Sequence, residues 1–218
     1  GPRRRLYPGG AGQLWKGGEP GNRIRLAVPD DAGGMLDIYA PFVRDTVVTF
    51  EYEVPSLEQF RERIETTLPR YPWLALEQEG QVTGYAYAGR YQSRAAYQWD
   101  AESSIYLAPA ARGNGLAAPL YRCLMALLEA QGVRNLYGCI AHPNPASERF
   151  HRKLGFRDLA VYPQAGYKQG EWRDILWIWL PLGEKEEIPP PLRPFGKLEP
   201  EQVAAILERY HQDLLGKG

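Results

Sequence analysis

Between Trp73 and Leu107 three β-rich runs, Trp73 to Gln78, Val82 to Ala88 and Trp99 to Leu107, follow one another with no helical pattern between them. Glu79, Gly80 and Gln81 separate the first two as a hairpin turn would, glycine supplying the awkward backbone angle. Only after the third run does the chain pass, through Pro109 and a glycine-bearing stretch, into a helical pattern from about Leu116 to Gln131. Leu120, Leu124, Leu127 and Leu128 form its apolar stripe and Gly132 ends it. Three sequential strands ahead of the first crossover helix exclude a doubly wound Rossmann fold, in which strands and helices alternate.

The flanking patterns complete the order. Ile24 to Val28 reads as a strand, and Asp30 or Asp31 stands where an N-cap belongs, ahead of Met35, Ile38, Tyr39 and Phe42. Ser56 caps a second helix striped by Phe60, Ile64 and Leu68 and stopped by Pro69. Downstream come a strand (Asn135 to Ala141), a short helix (Ala146 to Leu154) and two strands, Phe156 to Tyr162 and Arg173 to Leu182. The fold class expected is α+β, or mixed α/β, in one domain over residues 23–182. Residues 1–22, rich in Gly, Pro and Arg, read as a flexible arm. Residues 183–198, with three consecutive prolines, read as a linker, and 199–218 as an amphipathic tail helix carrying Val203, Ile206, Leu207, Tyr210 and Leu214. That helix is expected to dock on this domain or a twin subunit, or to serve a partner.

Composition narrows the function. Apolar residues make up 44% of 218, enough for a core, and 26 basic side chains balance 26 acidic ones, which speaks against nucleic-acid binding. No apolar run reaches the roughly 20 residues of a membrane span and no secretory leader is evident, so no membrane association and a cytoplasmic location are expected. Cys123 and Cys139 lie in apolar segments and read as reduced core thiols; no Cys or His spacing suits a metal.

The chemistry concentrates in Ala108 to Leu120, a glycine-bearing turn between a strand and a long helix. Unpaired amides and the positive helix end there suit an anion, although Gly113 and Gly115 serve equally well to make a tight turn. It lacks the Lys and Ser or Thr of a P-loop. Arg112-Gly113-Asn114-Gly115-Leu116-Ala117 fits R/Q-x-x-G-x-G/A, with Asn144 and Lys153-Leu154-Gly155-Phe156 downstream. These motifs resemble those of the Gcn5-related N-acetyltransferases, the GNAT superfamily. Thr46-Val47 with Thr49-Phe50, Arg70-Tyr71-Pro72-Trp73-Leu74, Gly84 to Gly89, Arg94 to Tyr97, Ala101-Glu102-Ser103 and Ala165 to Lys168 are similar to the phosphinothricin and methionine sulfoximine acetyltransferases within it.

The resemblance implies the acyl-CoA N-acyltransferase fold, a central twisted, mostly antiparallel sheet flanked by helices. It implies acetyl-CoA as cosubstrate, with the main chain of Arg112, Gly113, Asn114, Gly115, Leu116 and Ala117 cradling its diphosphate. Ile105, Tyr106 and Leu107 would pair with the pantetheine arm, and Asn144 would contact that arm or the thioester. Glu102 would take the amine proton directly or through water, the amide near Ile105 or Tyr106 would face the oxyanion, and His151 would protonate the leaving sulfur or help bind substrate. Phe50, Arg94 and Tyr97 would line the pocket of a small amine acceptor, and a homodimer is implied. A protein N-terminus, a polyamine or an aminoglycoside is an alternative acceptor, and a non-catalytic acyl-CoA-binding protein an alternative class.

Overall fold

The computed structural model describes residues 21–215, together with a short antiparallel pairing of Arg4–Arg5 with Trp15–Lys16. Most of the arm expected over residues 1–22 lies outside the described residues, as does the end of the tail, 216–218. The elements run β1 (Asn22–Leu26), α1 (Ala32–Asp45), α2 (Leu57–Thr67), β2 (Trp73–Gln78), β3 (Gln81–Arg90), β4 (Asp100–Leu107), α3 (Ala117–Gln131), β5 (Asn135–His142), α4 (Pro145–Lys153), β6 (Arg157–Lys168), β7 (Glu171–Pro181) and α5 (Pro200–Leu214). The strands form one seven-stranded sheet in the order β1-β2-β3-β4-β5-β7-β6. Every neighbouring pair is antiparallel except β4 with β5.

Alternation along the strands gives the sheet two apolar faces. Tyr85 joins Met35, Phe60, Ile64 and Trp73 beneath α1 and α2. Ala86 and Ala88 face the other way, into a core with Leu120, Leu124 and Leu127 of α3 and Leu136 and Ile178. Ser56 begins α2 as expected, its hydroxyl accepting from Gln59 N (3.1 Å) while Gln59 Oε1 accepts from Ser56 N (2.9 Å).

The start of α1 differs from expectation. Asp31 stands at the N-cap position, yet its side chain makes no cap hydrogen bond. Its carboxylate receives the buried Arg25 guanidinium (2.7 Å to each oxygen) and Val28 N (2.8 Å). Arg25 Nε also donates to Glu77 on β2 (2.8 Å), so one buried cation ties β1, β2 and the turn into α1 together. Two carboxylates raise the pKa of Arg25 against the opposing effect of its burial. The two cysteines also part company: Cys123 is buried, whereas Cys139 is exposed, and both are free thiols.

The proline-rich segment is pinned as a strap over the end of α3. Trp99 Nε1 donates to Pro190 O (2.8 Å), Leu192 N to Gln98 Oε1 (3.0 Å) and Phe195 N to Arg70 O (3.1 Å). Buried Gln131 bridges Arg70 O (3.0 Å) and Arg193 O (2.9 Å) through its amide nitrogen. Phe195, Leu198, Val203 and Leu214 then enter the α3-side core, so α5 lies against this domain. Phe195→Ala is expected to destabilise the whole domain by about 3 kcal/mol. Urea unfolding should show one lowered midpoint; a midpoint unchanged from the parent would mean that the strap adds nothing to the core.

Candidate active site

The parallel pair at the centre of the sheet shapes the site. β4 and β5 are in register at only three positions, Asp100 with Asn135, Ala101 with Leu136 and Glu102 with Tyr137. Beyond Glu102, β4 stays paired with β3 as far as Leu107, and beyond Tyr137, β5 stays paired with β7 as far as His142. The two strands separate, and the inner edge of each is left without a ladder partner. Such a split offers main-chain donors and acceptors to an extended amide-bearing arm, which can take the place of a missing strand.

Register decides which residues of β4 face the split. Ala108 N donates to Thr83 O (2.8 Å), on the β3 side. By the period of two, the main chain of Tyr106 and Ser104 also faces β3, while that of Leu107 and Ile105 faces the split. The side chain of Arg112 agrees, donating to Leu107 O (3.0 and 3.3 Å) from outside the ladder. Tyr106, expected to share in cofactor binding, therefore turns its main chain to β3, and its ring packs against Tyr39, Phe42 and Tyr85. Of the two amides named for the oxyanion, Ile105 is the one the register leaves open.

At the mouth of the split the chain turns into α3. Gly113 (φ +73) and Gly115 (φ +78) both take left-handed backbone angles that disfavour other residues. Asn114 Nδ2 donates to Ala110 O (3.1 Å) and its Oδ1 accepts from Leu116 N (3.3 Å), fixing the loop. Arg112 lies over the Phe42 ring, 5.3 Å from its centroid. Leu116, at the N-cap of α3, provides no side-chain cap. Among the described residues no acceptor meets the amides of Gly113, Asn114, Gly115, Ala117 or Ala118. Pro119 removes one further donor from the first turn. An uncapped helix end preceded by two left-handed glycines fits a diphosphate, and a Cβ on Gly113 would meet nothing within 4 Å, so space is open there.

Across the split, Asn144 caps α4, its Oδ1 accepting from Ser147 N (3.2 Å). Its own amide donates to the buried Glu148 (2.6 Å), a residue that sequence reading passed over. Glu148 also meets His142 Nδ1 (3.2 Å) and Arg152 (3.3 Å). Burial opposes its charge, but these donors hold its pKa below the usual glutamate value.

Glu102 is half-buried and accepts no hydrogen bond from any described residue, and burial raises its pKa. It projects on the α1/α2 side of the sheet, opposite its neighbour Ser103, whose hydroxyl meets Tyr121 on α3 (2.6 Å). His151 lies on the Tyr121 side, edge-on to the rings of Tyr121, Phe150 and Phe156. The fold thus sets the two expected catalytic groups on opposite faces of β4. His151 Nδ1 donates to Ser147 O (2.7 Å), and burial lowers the imidazole pKa despite that bond. In the neutral ring the only proton is then already engaged, which leaves none on Nε2 to give to a sulfur. The expectation of an acid at His151 meets this physical objection.

On the Glu102 side, β5 presents Tyr137 and Cys139. Although Cys139 as a residue is exposed, local desolvation of its sulfur, with Glu102 nearby, pushes the thiol up to about 12, so it is not a thiolate at neutral pH. Tyr137 packs 4.5 Å from Tyr91, which meets Tyr97 and Trp177 edge-on. Tyr97 therefore belongs to an aromatic wall leading to Glu102. Phe50 sits on the α1–α2 loop against the main chain of Gly166, where a Cβ would fall 2.2 Å from its ring. The same loop is clamped by Lys168, unassigned by sequence reading, whose buried ammonium donates to Val43 O and Thr49 O (2.8 Å each). Tyr52 adds a hydrogen bond to Tyr167 O. Arg94 goes elsewhere: it lines a cleft with Arg70, Arg90 and Lys197.

Residues 24–177 match the acetyltransferase (GNAT) domain family model. The chain belongs to the GNAT acetyltransferase family. It is 36% identical over 175 residues to a phosphinothricin N-acetyltransferase of Streptomyces viridochromogenes, covering 80% of this chain and 95% of that protein. An L-methionine sulfoximine/L-methionine sulfone acetyltransferase of Salmonella typhimurium is 33% identical, with 74% and 95% covered. Among solved structures, a GNAT superfamily phosphinothricin acetyltransferase from Sinorhizobium meliloti in complex with acetyl-CoA superposes with a TM-score of 0.74 at 34% identity, covering 78% of this chain and 92% of that one. This GNAT protein is accordingly an acetyl-CoA-dependent N-acetyltransferase. Gly113→Ala adds backbone strain of about 1 kcal/mol without a clash. Calorimetric titration should show acetyl-CoA binding weakened severalfold while the fold stays intact; unchanged affinity would dissociate this loop from the cosubstrate.

Proposed function

We propose that the enzyme acetylates the primary amine of a small amino-acid-like acceptor, of the phosphinothricin or methionine sulfoximine type, by direct attack in a ternary complex. The observation that carries this reading is the half-buried, unpartnered Glu102 carboxylate at the vertex of the split, beside the Tyr137–Tyr91–Tyr97 wall. The names of the relatives support the acceptor class. Acetyl-CoA supplies an acyl group activated as a thioester. The open main-chain edge at Ile105 and Leu107 and the amides of Gly113 to Ala118 are the groups that would hold it.

An amino-acid ammonium, with a pKa of about 8, must lose a proton before it can attack. Glu102 accepts that proton, and its raised pKa makes it a better base than an ordinary glutamate. The Ile105 amide donates to the oxygen on which negative charge builds. A thiol has a pKa of about 8.5, so the sulfur can leave without a dedicated acid, and His151 packs α4 against Tyr121 and Phe156. The protonated state of Cys139 favours direct attack over an acyl-cysteine route.

Glu102→Gln should lower kcat by about 10²-fold or more with acetyl-CoA affinity retained. The parent kcat/KM should fall as pH drops through a value above the ordinary glutamate pKa of about 4.3, and the variant should lack that limb. A carboxylate whose folded pKa is raised costs stability once pH exceeds that pKa, so Glu102→Gln should melt no lower than the parent at pH 7. Full activity in the variant with these acceptors would refute the role.

The enzyme is also proposed to work as a homodimer. β6 is an edge strand with Leu159 51%, Val161 46% and Tyr162 51% exposed, a long unprotected ladder of the kind that pairs with a second copy of itself. Light scattering should report a dimer that Leu159→Lys with Val161→Lys converts to monomer; a monomeric parent at micromolar concentration would exclude it.

A further inference from the structure

A second concave site lies on the α3 side of the sheet, away from the face that carries Glu102. It is a cleft of about 820 Å³ between the corner joining α2 to β2, the end of β3 with its following loop, and the C-terminal strap. Arg90 reaches it because it continues the alternation of Ala86 and Ala88, which point to the α3 core. Arg70, Arg90, Arg94 and Lys197 all line the cleft, and no Asp or Glu does.

The sorting of charge is the telling feature. The chain has as many acidic as basic side chains, yet this cleft gathers four cations and no carboxylate in its lining. None of the four cleft cations forms an ion pair with a described residue. All four side chains are exposed, and like charges gathered around one concavity repel one another and raise the local concentration of anions. The walls are also built to hold their places. Gln131, 1% exposed, spans Arg70 O and Arg193 O; Gly196 N donates to Pro69 O (3.0 Å); and Leu192 N is tied to Gln98 in the opposite loop. Half of this frame, the strap, lies beyond residue 177, where the family match ends.

We infer that this cleft binds a small organic polyanion bearing two or more phosphate or carboxylate groups, at a site separate from the acetyl-CoA groove. Guanidinium forks suit either group, taking two oxygens at once. The volume exceeds what a lone inorganic ion fills, and Pro69, Leu192 and Pro194 offer apolar surface to the body of the ligand.

Calorimetry on the full chain tests this with inorganic pyrophosphate and citrate as probes. Acetyl-CoA is titrated first and kept saturating, so that the amides at α3 are occupied and the failure of either site is read separately. Saturable binding of one or both probes is expected, weakened about tenfold or more in the variant combining Arg70→Ala with Lys197→Ala, while acetyl-CoA affinity and the thermal midpoint stay unchanged. Pyrophosphate preference would identify a phosphate ligand, and citrate preference a carboxylate one. No saturable binding of either probe, or equal affinity in the double variant, would overturn the inference.

Discussion

A parallel strand pair held for three residues and then released is the constraint on which the rest of this enzyme depends. Continuous pairing of β4 with β5 would satisfy every main-chain group and leave no open strand edge. Because β4 remains bound to β3 and β5 to β7 throughout, the gap between them is rigid on both sides. The cost of unpaired backbone polar groups is tolerated where solvent or substrate meets them. Glu102 sits at the last rung before the gap, so the position of this half-buried carboxylate and the opening of the strand edges are set by one geometric event.

The surroundings of that event are stabilised from a distance. The Arg25 triad fixes β1, β2 and the entry to α1, and α1 in turn carries Tyr39 and Phe42 against Tyr106. At the α1–α2 loop, the Lys168 ammonium replaces water with two carbonyls, which pins Thr49 beside Phe50, itself packed on Gly166. The loop therefore borrows its shape from a hairpin far away in sequence.

Periodicity made the element order legible, since long apolar stripes such as Leu120–Leu128 and the hairpin at Gly80 leave little freedom. β6 ran well past Tyr162, to Lys168, because an edge strand exposed on both faces shows no alternation and carries register shifts at Asp158/Ala160 and Tyr162/Gly166. The family motifs pointed to the loop at Gly113 and to the half-buried carboxylate of Glu102. They could not say that Tyr106 turns its amide to β3, that His151 Nδ1 faces Ser147 O, or that Arg94 keeps company with three other cations. Those depend on register, tautomer and a strap outside the motif. Glu148 was passed over, and Lys168, although part of a matched motif, was left without a role, because a buried charge is invisible until its partners are assembled.

Asn135 has a reach larger than its size. Its side chain receives Trp179 Nε1 (3.0 Å) and donates to Asp100 (2.8 Å), stapling β7, β5 and β4 at the closed end of the fork. A fork opened by a fixed staple behaves as a lever: a small rotation there becomes a larger change of width at the tips. The width of the split can thus be tuned by a residue that lies outside it.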